Sequence, residues 1–73
     1  MALPFATFER ILKEAKKGIR VSDKATLAFA AAIESLAKEI AAEASSFAEH
    51  ANRKTIMEQD IRMALKVLGK KRE

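Results

Sequence analysis

Residues 23–51, DKATLAFAAAIESLAKEIAAEASSFAEHA, contain neither glycine nor proline. At 1.5 Å per residue such a run makes a helix about 43 Å long. Phe29, Ile33, Leu36, Ile40, Ala44, Phe47 and Ala51 recur every three or four residues and so line one side. Ala37, Ala41 and Ala48 widen that stripe, while Glu34, Ser35, Lys38, Glu39, Glu43, Ser46 and Glu49 mostly take the other faces. A compact globule of 73 residues is only about 30 Å across. The rod is therefore longer than the body one chain can build around it. Flanking segments of about a dozen residues cannot cover a stripe with Phe29 near one end and Phe47 near the other. The economical arrangement is a symmetric dimer, its long helices crossing where alanines permit close approach. Phe29, Ile33, Leu36 and Ile40 then form the dimer core. A lone three-helix monomer with a frayed centre is the alternative. A long antiparallel coiled coil is disfavoured because leucine heptads are not sustained.

Working outward from the rod, a short helix is predicted over residues 4–16. Pro4 suits its first position, and Phe5, Phe8, Ile11, Leu12 and Ala15 make its apolar stripe. Lys16, Lys17 and Gly18 end it, with glycine able to take a positive φ. After the extended IRVS connector, Ser22 is placed to cap the long helix and Asp23 to complement its dipole. On the other side Asn52 tolerates the left-handed conformation that stops a helix. "TIME", residues 55–58, reads as a capping box in which Thr55 caps and Glu58 reaches back. A third helix over 57–68 turns Ile61, Ala64, Leu65 and Leu68 inward. Gly69 is its expected stop, followed by a basic tail, 69–73. The reading is one all-α domain, 1–73, of short, long and short helices.

Composition narrows the function. There is no cysteine, and hence no disulfide, thiolate metal site or cysteine nucleophile. One histidine, two isolated glycines and no paired carboxylates in a plausible cleft argue against an enzyme, and no cofactor or metal is expected. No apolar run approaches the roughly 20 residues that span a bilayer, and the N-terminus lacks a leader pattern. The expectation is a soluble protein kept inside the cell. The net charge of +4 is unevenly spread: residues 1–24 carry +3, 25–52 carry −3 and 53–73 carry +4. Head-to-tail pairing brings Arg20 of one chain beside Arg53, Lys54 and Thr55 of the other. Arg20–Val21 and Thr55–Ile56 are then placed for a short parallel pairing. Helix N-termini add amide donors. Such a cationic row on a convex face suits the phosphate backbone of double-stranded DNA. Spaced arginines there imply bending, with an arginine in the minor groove. Asp60, one turn into the third helix, is placed to pair with Arg53 and turn Lys54 and Thr55 outward.

These residues resemble those of the tailless, archaeal-type histone-fold family. The likeness runs from LPFATFERILKEA through RVSDKA to AEHANRKTIMEQDI, nearly the whole chain. It implies a histone fold in an intertwined handshake dimer that binds, bends and wraps DNA without sequence preference, compacting it as chromatin of the nucleoid. By position it implies DNA contacts at Arg10, Lys13, Arg20, Arg53, Lys54 and Thr55, with Arg20 in the minor groove. It marks Arg53–Asp60 as a structural clasp. It also implies that dimers join into tetramers or larger assemblies on DNA near Phe47, His50 and Asp60. There His50 donates to an acidic group, so assembly is expected to respond to its charge state. The implied location is cytoplasmic and chromosome-associated. The sequence departs from the family at Lys16–Lys17, where a bulkier connector disfavours close stacking of long filaments. It departs again at Asn52, in place of a common glycine, and at Ala30–Ala32 and Ser35, which lack charges to join stacked turns. The competing reading is a histone-fold heterodimerisation module of a transcription or other DNA-associated complex, paired with a paralogue or another chain.

Overall fold

The structure, a computed structural model, describes residues 4–71. Three helices follow in the expected order: α1, Phe5–Glu14; α2, Asp23–His50; and α3, Glu58–Lys71. No strand occurs among the described residues. The chain forms two compact units, Met1–Ser35 and Leu36–Glu73, whose boundary falls within α2.

In the first unit, Pro4 stands just outside α1 rather than at its first position. Its ψ of 113° is extended, while its carbonyl accepts the Phe8 amide. α1 ends at Glu14, two residues short of the expected end, and Gly18 does not cap it. Instead the Ile19 amide donates to the Lys16 carbonyl, closing a separate turn in which Gly18 has φ +82°. The rings of Phe8 and Phe29 pack nearly at right angles, with centroids 5.6 Å apart at 82°. That perpendicular geometry is a favoured aromatic packing mode. Ser22 caps α2 as expected: its Oγ accepts the Ala25 amide at 3.0 Å. Thr26, fully buried, donates its hydroxyl to the Ser22 carbonyl at 3.3 Å. A polar side chain is thus buried with its hydrogen bond made, which avoids the cost of an unpaired one.

In the second unit the buried apolar side chains are Ala44 and Ala48 on α2 and Ala64 and Leu68 on α3. Each pair is one helical turn apart and makes a single stripe. Alanine at three of the four positions leaves nothing beyond Cβ to hold the backbones apart. α2 ends one residue earlier than predicted, and it ends through Asn52, whose φ is 59°. The Asn52 amide donates to the Glu49 carbonyl and the Arg53 amide to the Ala48 carbonyl, both at 2.9 Å. These two bonds constitute a Schellman motif. α3 begins at Glu58, and the Thr55–Glu58 box is not what starts it. The Asp60 carboxylate accepts the Met57 amide at 2.8 Å, so the side chain that reaches back belongs to the third helical residue, two places later than expected. Gly69 does not stop α3, which continues to Lys71. A glycine inside a helix costs about 1 kcal/mol, too little to end one when no left-handed cap follows. The end of the expected tail, residues 72–73, lies outside the described residues.

Both units leave large apolar groups in water. Leu27 is 60% exposed and Leu65 51%, and Phe5, Ile11, Ile19, Ile56, Met57, Ile61 and Met63 are exposed with them. Phe29, Ile33, Leu36 and Ile40, the expected dimer core, are only half-buried. The largest fully buried side chains among the described residues are the polar Thr26 and Asp60.

Candidate nucleic-acid interface

The second unit builds one rigid corner. After the Schellman turn at Asn52, the Arg53 guanidinium reaches across to α3. Its Nη1 donates to Asp60 Oδ2 at 2.8 Å and its Nη2 to Asp60 Oδ1 at 2.9 Å. Nη1 also donates to the Thr55 carbonyl at 3.1 Å. This parallel two-bond geometry is the strong form of an arginine–carboxylate contact. Asp60 is 1% exposed. First the Arg53 guanidinium and then the Met57 amide hold its carboxyl down to about 2, from an ordinary 3.8, against the opposing effect of burial. The same hydrogen bond raises Arg53 above its ordinary value. The segment from Ala48 to Asp60 is therefore tied at both ends, and Lys54 and Thr55 stand exposed between the ties.

The first unit carries the other expected contacts. Arg20 is exposed in the connector and lines an open, largely apolar hollow with Leu12, Ile19, Val21, Ser22 and Ala25. Arg10 pairs with Glu14 at 3.0 Å and Lys13 with Glu9 at 3.9 Å, both as exposed neighbours one turn apart on α1. Pairs of this kind are worth about 0.3–0.5 kcal/mol, too little to withhold either cation from a phosphate. On α2, Phe47 is half-buried and His50 exposed, and the His50 Nδ1–H donates to the Ser46 carbonyl at 2.7 Å. The structure thus brings Arg53, Thr55 and Asp60 together, while Arg10, Lys13 and Arg20 belong to the other unit. Sequence reasoning missed the Met57 amide as Asp60's second ligand and the Thr55 carbonyl as Arg53's third acceptor. The spacing of Asp60 three residues after Met57 was the available signal. Among the described residues no cluster of histidine, cysteine, aspartate and glutamate could hold a metal ion. None of their helices is long and apolar enough to cross a membrane.

A short–long–short all-α chain with a clasped corner after its long helix has the histone fold. Residues 2–67 match the core histone H2A/H2B/H3/H4 domain, and the chain belongs to that family. It is 41% identical over 64 residues to one of the subunits of the archaeal histone HAN1 from Thermococcus zilligii. It is 45% identical over 64 residues to "Probable archaeal histone 3" of Methanocaldococcus jannaschii. Each likeness spans 88% of this chain and 94% of the relative. The chain is an archaeal-type histone-fold protein.

Proposed function

We propose that two copies of the chain interlock and that the dimer binds, bends and compacts double-stranded DNA without reading its sequence. The role is architectural rather than catalytic, and its place is on the chromosome. The observation that carries this reading is the clasped corner: Lys54 and Thr55 are exposed on a backbone that Arg53 and Asp60 cannot let drift. Arg53 acts chiefly by positioning, because Asp60 and the Thr55 carbonyl already occupy its guanidinium. The dimer supplies what each chain lacks. The half-buried Phe29, Ile33, Leu36 and Ile40 and the exposed apolar groups of both units need a cover, and a second copy carries the same groups. In the dimer Arg20 of one chain lies beside Lys54 of the other, and Arg10 and Lys13 extend the cationic row along α1. Phe47 and His50 form the contact through which dimers join. Asp60 supports that contact by holding the corner, because its own carboxylate is buried.

Binding of unrelated duplexes across a range of salt tests the reading. Affinity should be alike for all sequences and fall with a log–log slope of about −0.9 per phosphate contact. A strong preference for one sequence, or binding indifferent to salt, would contradict it. The Thermococcus zilligii relative is named as one subunit of a histone, which favours a second reading: pairing with a different chain. Purified protein whose mass corresponds to two copies of this chain, with no second polypeptide, excludes that reading.

A further inference from the structure

Among the described side chains of α3 the buried ones are Asp60, Ala64 and Leu68, which recur every four residues. Arg62, Lys66 and Lys70 repeat at the same spacing two residues further on, and all three are exposed. With 3.6 residues per turn, two residues rotate about 200°. The cationic stripe therefore runs along the side of α3 opposite its buried one. The arc it occupies holds one other side chain, Gln59, so no apolar group interrupts it. The helix continues through Gly69, which keeps Lys70 in register with Lys66. Arg62 pairs with Glu58 in an exposed contact that contributes little and does not withhold it from a stronger anion. Lys66 and Lys70 pair with no acid among the described residues. From Arg62 to Lys70 the stripe is about 12 Å long, the rise of roughly three to four base pairs.

We infer that this face of α3 is a second duplex-binding surface, so that one assembly bridges two DNA molecules. The inference rests on the DNA reading proposed above, and it adds a contact which that reading does not contain. Its warrant is direction. Arg53 is tied to Asp60 on the buried side of α3, so the corner carrying Lys54 and Thr55 is anchored on the far side of the helix from the stripe. A duplex is stiff over about 150 base pairs. One lying on the corner cannot turn within a single helix diameter to reach Arg62, Lys66 and Lys70. Three evenly spaced cations with no base-reading partner side chains suit a phosphate backbone.

The test uses the full chain bound to a duplex fixed on a surface, with a labelled second duplex in solution. The unaltered protein is expected to capture the second duplex. Three phosphate contacts at −0.9 each predict that capture falls about fortyfold between about 50 and 200 mM salt. The Arg62→Gln/Lys66→Gln/Lys70→Gln variant should bind the fixed duplex within about twofold of the parent while losing more than about tenfold in capture. Lys66→Gln/Lys70→Gln, which breaks no ion pair among the described residues, should lose most of the same capture and guards against a folding defect in the triple variant. Unimpaired capture by both variants overturns the inference, and so does an equal loss of fixed-duplex binding. Capture of anionic vesicles in place of DNA also overturns it. Protein that binds the fixed duplex but captures no second one sinks this inference alone; protein that binds neither sinks the DNA reading as well.

Discussion

The Arg53 guanidinium and the Asp60 carboxylate meet through two parallel hydrogen bonds of 2.8 and 2.9 Å, seven residues apart in sequence and across the junction between α2 and α3. The pair decides where the corner sits, and its removal has a definite signature in acid. The carboxyl is held at about 2, below its ordinary 3.8, so folding favours the ionised form. That contribution is whole above about pH 4 and disappears as the pH falls through 4 towards 2. Chemical denaturation across that range should show stability declining in the parent, with a flatter curve in Asp60→Asn. Arg53→Gln should flatten it likewise, and the double variant should be no worse than either single one, because both remove the same interaction. Parallel acid curves for parent and variant would falsify the clasp.

Asn52 and Gly18 both have positive φ, for different reasons. Asn52 sits inside a complete Schellman motif, whereas Gly18 has open space where a Cβ would stand. Conformation alone therefore sets the cost at Gly18. Gly18→Ala should lose about 1–2 kcal/mol and Asn52→Ala about 1 kcal/mol, while Asn52→Gly should be tolerated. Urea unfolding at one protein concentration checks all three.

Ser22 holds the start of α2 through its hydroxyl. Ser22→Ala should cost about 1 kcal/mol and Ser22→Asp close to nothing, since aspartate caps as well and suits the helix dipole. If thermal melting ranked the aspartate variant with the alanine one, the cap would not be the relevant feature.

Arg20→Ala should weaken DNA binding for all sequences alike and reduce bending, measured by the circularisation of short duplexes. Lys54→Ala should lower the dimer's salt slope by about 1.8, the loss of one phosphate contact from each chain. A change in sequence preference in either variant would point to base reading and against a backbone mode.

If the exposed apolar groups, Leu27 at 60% and Leu65 at 51% among them, are covered by a second copy as proposed, folding should depend on association. The melting temperature should rise with protein concentration. A value constant over a hundredfold dilution would mean that the single chain is stable alone.

The sequence made the long helix legible because its signal is redundant: no breaker from Asp23 to Ala51, an apolar stripe, a serine before it and an asparagine after. The clasp was legible for a similar reason, since Arg53 and Asp60 carry opposite charges on either side of a short corner. The start of α3 was not. Thr55 and Glu58 match the capping pattern, but the pattern names residue types, and the helix began where the carboxylate of Asp60 could reach an amide. Gly69 misled for the converse reason. Glycine permits a stop without requiring one, and only a left-handed turn with its hydrogen bonds turns the permission into an ending. Of the candidate site, the residue types and the Arg53–Asp60 pair were readable in advance, but not that Arg53 also donates to the Thr55 carbonyl or that Asp60 also accepts the Met57 amide.

Because the apolar side chains buried among the described residues are three alanines and Leu68, while the largest fully buried ones are the polar Thr26 and Asp60, a newly made chain has only a small oily anchor of its own. Renaturation from denaturant should then be second order, its initial rate falling fourfold for each halving of chain concentration. In the proposed dimer, a polypeptide that has not yet met another copy should be open to proteases, and where degradation outruns pairing the supply of finished particles should track the square of synthesis.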